Sequence, residues 1–250
     1  MDRPLHPGRP ALRRSLLLWP LLSLLVFAGC ATTPVLHRTH PSAAARATQL
    51  RTVVAPLDAE LSELTAGGLL EPRDDWTELA VQNLAAALAA ETQWTPPAAL
   101  TDEQLARVQA ETEDVQALVR AFTLNHLMAT FPVRGPFAIP EGNLTYNTGP
   151  LTAHADALGE GAVLFVFVRN SYATAGRKAL LAFSLIGAGL TGVAIIPAMG
   201  SDIVSAALVE TDGTVLWFNV HAAGADPRTP EGARALAKQI LVGLPRATAS

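Results

Sequence analysis

Residues 162–168 read AVLFVFV, seven consecutive apolar positions rich in Val and Phe. That is strand length without alternation, the pattern of a central strand covered on both faces. The fold then depends on what can supply two covering layers. Downstream, DIVSAALVETDGTVLWFNVH (202–221) splits at Asp212-Gly213 into two apolar strands, a hairpin signal. RTPEGARALAKQILVGLP follows, with Thr229 as cap, Pro230 at the first helical position, and Ala233, Leu236, Ala237, Ile240 and Leu241 on one face. Gly243 and Pro245 end it.

Upstream lie two more helices. Asp75 and Glu78 have capping-box spacing, and Trp76, Ala80, Leu84, Ala87 and Leu88 form a stripe as far as Glu91. Thr101 and Gln104 repeat the capping pattern ahead of Leu105, Val108, Thr112, Val115, Val119 and Phe122. His126 continues that stripe as a core residue, and Pro132 closes it. RTVVAPLD (51–58) reads as the first strand, LTAGGLLEPRDD as loop, and 132–150, with four Pro and three Gly, as a long loop. The expectation is an α/β fold with a mixed sheet and about three helices, a single domain over residues 51–245.

The chain has 250 residues, half of them hydrophobic, enough for one good core. Eighteen Lys and Arg face 22 Asp and Glu; without residues 1–29, which hold four Arg and one Asp, 14 face 21, a net charge of −7. With no basic cluster, such a body gains nothing from counterion release, so nucleic acid is not an expected partner.

The N-terminus points to export. A basic leader, MDRPLHPGRPALRR, precedes 14 uncharged residues, SLLLWPLLSLLVFA. These are too few for a permanent span and suit a signal peptide over residues 1–29. FAGC (27–30) resembles the lipobox of bacterial lipoproteins, although Phe27 stands where that pattern favours Leu. The resemblance implies cleavage before Cys30, a diacylglycerol on its sulfur, and a membrane held by lipid. Ala31, in place of Asp, resembles the default signal for the outer membrane. Cys30 is the sole cysteine, so no internal disulfide competes for it. Residues 30–50 read as a flexible tether, with His37 and His40 as solvated side chains rather than ligands. No metal and no cofactor beyond the lipid on Cys30 is expected.

SLIGAGLTGVAIIP (184–197) carries Gly187, Gly189 and Gly192 in dinucleotide-loop spacing, but Pro197 and Gly200 fall where that motif needs a helix. Ala179 to Ser201 is a run of 23 uncharged residues, long enough to cross a bilayer, with Ser184, Ala188 and Gly192 at every fourth place. The preferred reading of 179–200 is a Gly-rich apolar segment packed on the sheet or on a neighbouring subunit. Tyr172, Arg177 and the three glycines are the candidate interaction surface.

NSYATAGRK (170–178) is the densest polar cluster, and Ser171, Tyr172, Thr174, Arg177 and Lys178 could bind an anion. It has neither Tyr-x-x-x-Lys nor Ser-x-x-Lys spacing. A triad of Ser171, His154 and Asp156 lacks a nucleophile elbow, so no residue is expected to be catalytic.

VVAPLD, ELTAGGLLEPRDDW, VFVRNSYATAGRKA and ALVETDGTVLWFN together resemble small bacterial envelope lipoproteins. Their α/β domain is similar to that of the curli-secretion-channel lipoproteins and the penicillin-binding-protein activators. That resemblance implies a non-enzymatic, periplasm-facing domain that assembles with a protein partner or as a homo-oligomer. Strands of about ten alternating residues, which membrane hairpins need, are not evident. Two other functions stay open: a membrane-inserted or pore-like subunit using 179–200, and a small-molecule-binding or hydrolytic domain around 170–178.

Overall fold

The computed structural model describes residues 36–47, 50–92, 100–130, 144–192, 198–222 and 224–245. The strands are β1 (Leu36–Thr39), β2 (Arg51–Val54), β3 (Asp58–Leu64), β4 (Leu70–Pro72), β5 (Gly161–Ala173), β6 (Asp202–Glu210) and β7 (Val215–Ala222). The helices are α1 (Ala43–Ala47), α2 (Asp74–Thr92), α3 (Asp102–Thr130), α4 (Thr152–Leu158), α5 (Ala175–Thr191) and α6 (Pro230–Ile240).

β5 is the centre of a mixed sheet ordered β1-β7-β6-β5-β3-β4. It pairs antiparallel with β6 on one side. On the other side it runs parallel to β2 through residues 161–164 and to β3 through residues 167–173. β2 and β3 thus share one edge of β5, interrupted at Ala55-Pro56-Leu57, where proline cannot donate to the ladder.

Alternation along β5 sends its side chains to two cores. Leu164, Val166 and Val168 meet Leu84 and Leu88 of α2 and Leu236 and Ile240 of α6. Val163, Phe165 and Phe167 meet Val115 and Val119 of α3, with Leu151 at the start of α4. The expected two-sided burial of β5 is therefore real. Each fully buried side chain of this size contributes about 1.5–3 kcal/mol, so residues 163–168 alone commit the chain to three layers.

The predicted helical faces hold for α2 and α6. Thr229 accepts from the Gly232 N–H at 3.0 Å. Thr101 and Gln104 cap each other reciprocally, at 3.0 and 3.2 Å. In α3, Thr112, Val115, Val119 and His126 are buried, but Leu105, at the edge of the stripe, is 45% exposed.

Five expectations need correction. Asp75 does not cap α2, which begins at Asp74; Asp75 instead holds the Arg73 guanidinium at 2.9 and 3.0 Å. Residues 36–47 are not tether: β1 adds an edge strand to β7, and Arg46 of α1 pairs with Glu210 and Asp212. Four residues are too short for periodicity to register, so this strand exists through its partner. The segment read as loop contains β4, and the 51–58 strand is two, β2 and the start of β3.

Lastly, α5 does not pack on the sheet. Both faces are already taken by α2, α6, α3 and α4, and α5 leaves from the end of β5 with none of its described side chains buried. The residues predicted for the long loop lie outside the described set up to 143.

Candidate functional site

The C-terminal end of β5, where α5 begins, is the place at which the polar cluster 170–178 is organised. β6 pairs with β5 only as far as Asn170 opposite Asp202. Beyond that, Ser171 takes over. Its N–H donates to Ser201 O at 2.8 Å, and its Oγ accepts from the Ser201 N–H at 2.8 Å. Gly200 makes this possible: at φ +119° its missing Cβ would stand 2.1 Å from Ser171 O.

Tyr172 points to the opposite face, edge-on to Trp76 with ring centroids 6.0 Å apart. Arg228 lies over both rings, 4.4 Å from the Trp76 centroid and 4.0 Å from that of Tyr172. Asp226 holds the same guanidinium through contacts of 2.7–3.2 Å. This pairing keeps the Asp226 carboxyl below the usual carboxylate range. Burial pushes the Tyr172 hydroxyl up to about 12. Burial, reinforced by the charge on Asp226, pushes the Asp202 carboxyl up to about 6.

Trp76, Tyr172, Asp202 and Arg228 line a cleft of about 520 Å³, with Glu63 and Lys178 at its walls. Oδ1 of Asn170 and Oδ1 of Asp202 lack a hydrogen-bond partner among the described residues.

The remaining members of the polar cluster are spent on structure. Thr174 caps α5 by accepting from the Arg177 N–H at 3.2 Å. Arg177 donates to Ala198 O at 2.5 Å and to Thr65 O and Ala66 O at 3.4 Å, tying the helix base to the β3–β4 turn. The triad of Ser171, His154 and Asp156 does not assemble. His154 sits beside Phe165, six strand positions or about 20 Å from Ser171. Its Nδ1–H donates to Glu111 at 2.6 Å, and Asp156 pairs with Arg107. Thr112 stands 3.4 Å from His154 Nε2 but donates more closely, at 2.7 Å, to Val108 O. Both hydroxyls are taken up by backbone partners.

The three glycines are not a phosphate loop. Gly187 and Gly189 lie inside α5, and Gly192 closes it in the left-handed conformation at φ 76°. That cap also divides the 23-residue uncharged run, and no described helix is long and apolar enough to cross a membrane. No described group of three or more His, Cys, Asp and Glu is arranged for a metal ion.

The candidate surface residues fall into separate places. Tyr172 belongs to the cleft, Arg177 to the base of α5, and the glycines to its body and end. What α5 presents outward is Leu180, Phe183, Leu185 and Ile186, between 47% and 71% exposed. Helical period within 179–191 would have singled them out, had that stretch been read as a surface helix rather than as a buried segment.

No protein-family model, curated protein or solved structure matches the chain.

Proposed function

We propose that this chain is a lipid-anchored envelope protein, held at the bacterial outer membrane through Cys30, whose periplasm-facing α/β body works by contact rather than by catalysis. The observation that carries the reading is α5: a 17-residue helix that exposes four large apolar side chains, Leu180, Phe183, Leu185 and Ile186, outside a body with two finished cores. Such a patch on a folded domain marks a binding surface. The hydroxyls at the β5 end support the same reading, because Ser171 and Thr174 are engaged in backbone hydrogen bonds. The test is metabolic feeding with a clickable fatty acid. The intact chain should incorporate it and the Cys30→Ser variant should not; an unlabelled wild-type chain retaining its leader defeats the reading.

A second reading is favoured by one observation. Asp202, whose Oδ1 has no hydrogen-bond partner among the described residues, lines a cleft of about 520 Å³, which suits a small ligand with a hydrogen-bond donor. A compound that raises the melting temperature of the wild type but not of Asp202→Asn would support it.

A further inference from the structure

The sheet register fixes where the N-terminal segment leaves the body. Leu36 is opposite Val220, Val220 opposite Ser205, and Ser205 opposite Phe167. β1 is antiparallel to β7, and β7 runs in the same direction as β5. β1 therefore begins on the side of the sheet toward which β5 runs, where α5 starts. Five residues separate Cys30 from Leu36, six residue steps that reach about 20 Å at most. Six strand positions from the level of Phe167 lead to that of Ala173, the residue before the Thr174 cap, also about 20 Å. A lipid on Cys30 is therefore within chain reach of the level at which α5 begins.

α5 has the chemistry for a bilayer at that level. From Ala179 to Thr191 it carries no charge, and its one polar side chain before Thr191, Ser184, is half-buried. At 3.6 residues per turn the exposed positions between Ala179 and Gly189 cover an arc of about 220°. A partner helix would cover only one strip of such an arc, and a protein groove would bring a polar rim that α5 has nothing to answer. Acyl chains can surround it. Thirteen residues of helix rise about 20 Å, short of the ~30 Å hydrocarbon core, so α5 can enter one leaflet and cannot cross. Lys178, exposed one position before the uncharged stretch, stands at headgroup depth.

We propose that α5 seats the protein on the bilayer that holds its lipid, with Leu180, Phe183, Leu185 and Ile186 inserted and the β5 end of the sheet facing the membrane. This rests on the lipid-anchored reading and adds that the lipid acts together with a second, non-covalent foothold. The diacylglycerol on Cys30 would tether the chain, and the apolar side chains of α5 would add contact that holds the body against the bilayer.

The acylated full chain is reconstituted in mixed phosphatidylethanolamine and phosphatidylglycerol vesicles. With Cys30 blocked by lipid, an introduced cysteine is the only thiol. A fluorescent label at Ile186→Cys should be quenched by spin-labelled acyl chains. A label at Glu160→Cys, exposed at the opposite end of the sheet, should not be. An unquenched Ile186→Cys label on acylated, vesicle-bound protein overturns the seat and leaves the lipid anchor standing. Disulfide crosslinking between two Ile186→Cys copies without quenching overturns it in favour of a second copy of this chain.

If mass spectrometry finds no lipid, the anchored reading fails, and the Cys30→Ser chain then decides the seat. It should bind the same vesicles directly, at least about tenfold more weakly when Phe183→Ser and Ile186→Ser are combined. Absence of vesicle binding overturns the proposal.

Discussion

Arg177 reaches across the base of α5 to the carbonyl of Ala198, which its Nε meets at 2.5 Å. The residue that starts the apolar excursion thus holds the residue that ends it. The same guanidinium touches Thr65 O and Ala66 O, so one side chain closes the β5 end of the sheet. Arg177→Gln should cost only about 1 kcal/mol of global stability, because the groups released are near solvent. Its larger effect should be local: faster amide exchange and faster proteolysis within 175–198 than in α2 or α6. Uniform exchange across all helices would contradict this role.

Two glycines in one short stretch should respond in opposite directions. A Cβ on Gly200 would meet Ser171 O at 2.1 Å on a backbone at φ +119°, whereas a Cβ on Gly189 meets nothing within 4 Å. Gly200→Ala should lose about 3 kcal/mol or more through strain and the broken Ser171–Ser201 pair. Gly189→Ala should gain about 0.5–1 kcal/mol, as expected for glycine removed from a helix interior. Urea unfolding of both variants measures the contrast.

Asp202 gives stability a pH slope of definite sign. Its carboxyl is raised to about 6 in the folded protein. Between roughly pH 4 and 6 the folded state keeps a proton that the unfolded state has lost, so this group's contribution falls as pH rises. Asp202→Asn should remove that fall and leave the variant about 1 kcal/mol more stable at pH 7, allowing for the water that reaches the site. Denaturation midpoints between pH 4 and 8 test it, and parallel curves for the two proteins would rule it out.

His126 acts in the opposite sense. It is 1% exposed, its Nδ1–H donates to Phe122 O, and its ring lies 4.6 Å from that of Phe218. Burial holds its pKa below the ordinary histidine value, and the Phe122 carbonyl only partly offsets this. The unfolded chain then takes up a proton near pH 6.5 that the folded protein refuses, so this group's contribution is lost as pH drops. Nε2 has no described partner. His126→Leu should be within about 1 kcal/mol of wild type at pH 7 and gain on it steadily toward pH 5. A gap between the two that does not change with pH would defeat the assignment.

Glu111 should matter more than any surface carboxylate. It accepts from the Ala153 N–H at 3.1 Å, the His154 N–H at 3.0 Å and His154 Nδ1–H at 2.6 Å. Burial pushes its pKa up, but these hydrogen bonds outweigh that and hold it below the usual range. Glu111→Ala leaves a buried imidazole and the first turn of α4 without acceptors, an expected loss of about 2–4 kcal/mol. Thermal or urea unfolding reads it directly; a loss below 0.5 kcal/mol would be ordinary for a surface site and would refute the role.

The sequence was most informative where one element alone carried the pattern. The run at 162–168, the Asp212-Gly213 turn and the stripe from Ala233 to Leu241 each announce their burial, because each buries one contiguous set of side chains. It was least informative about the polar cluster. Tyr172 and Arg177 lie five apart in the chain, yet one belongs to a cleft closed by Trp76 and Arg228 and the other to the base of a helix. Trp76, Asp202 and Arg228 could not be joined to Tyr172 beforehand, since they arrive from α2, β6 and the segment before α6.

Periodicity and cap chemistry by themselves determined a mixed α/β sheet with helices anchored at Thr101 and Thr229, since these depend on neighbours within a few residues. Only the tertiary structure decided that 36–39 is a strand and that α5 stands outside the body. A four-residue edge strand gains its order from β7. An apolar helix is buried only if a face is left for it, and here α2, α6, α3 and α4 had filled both.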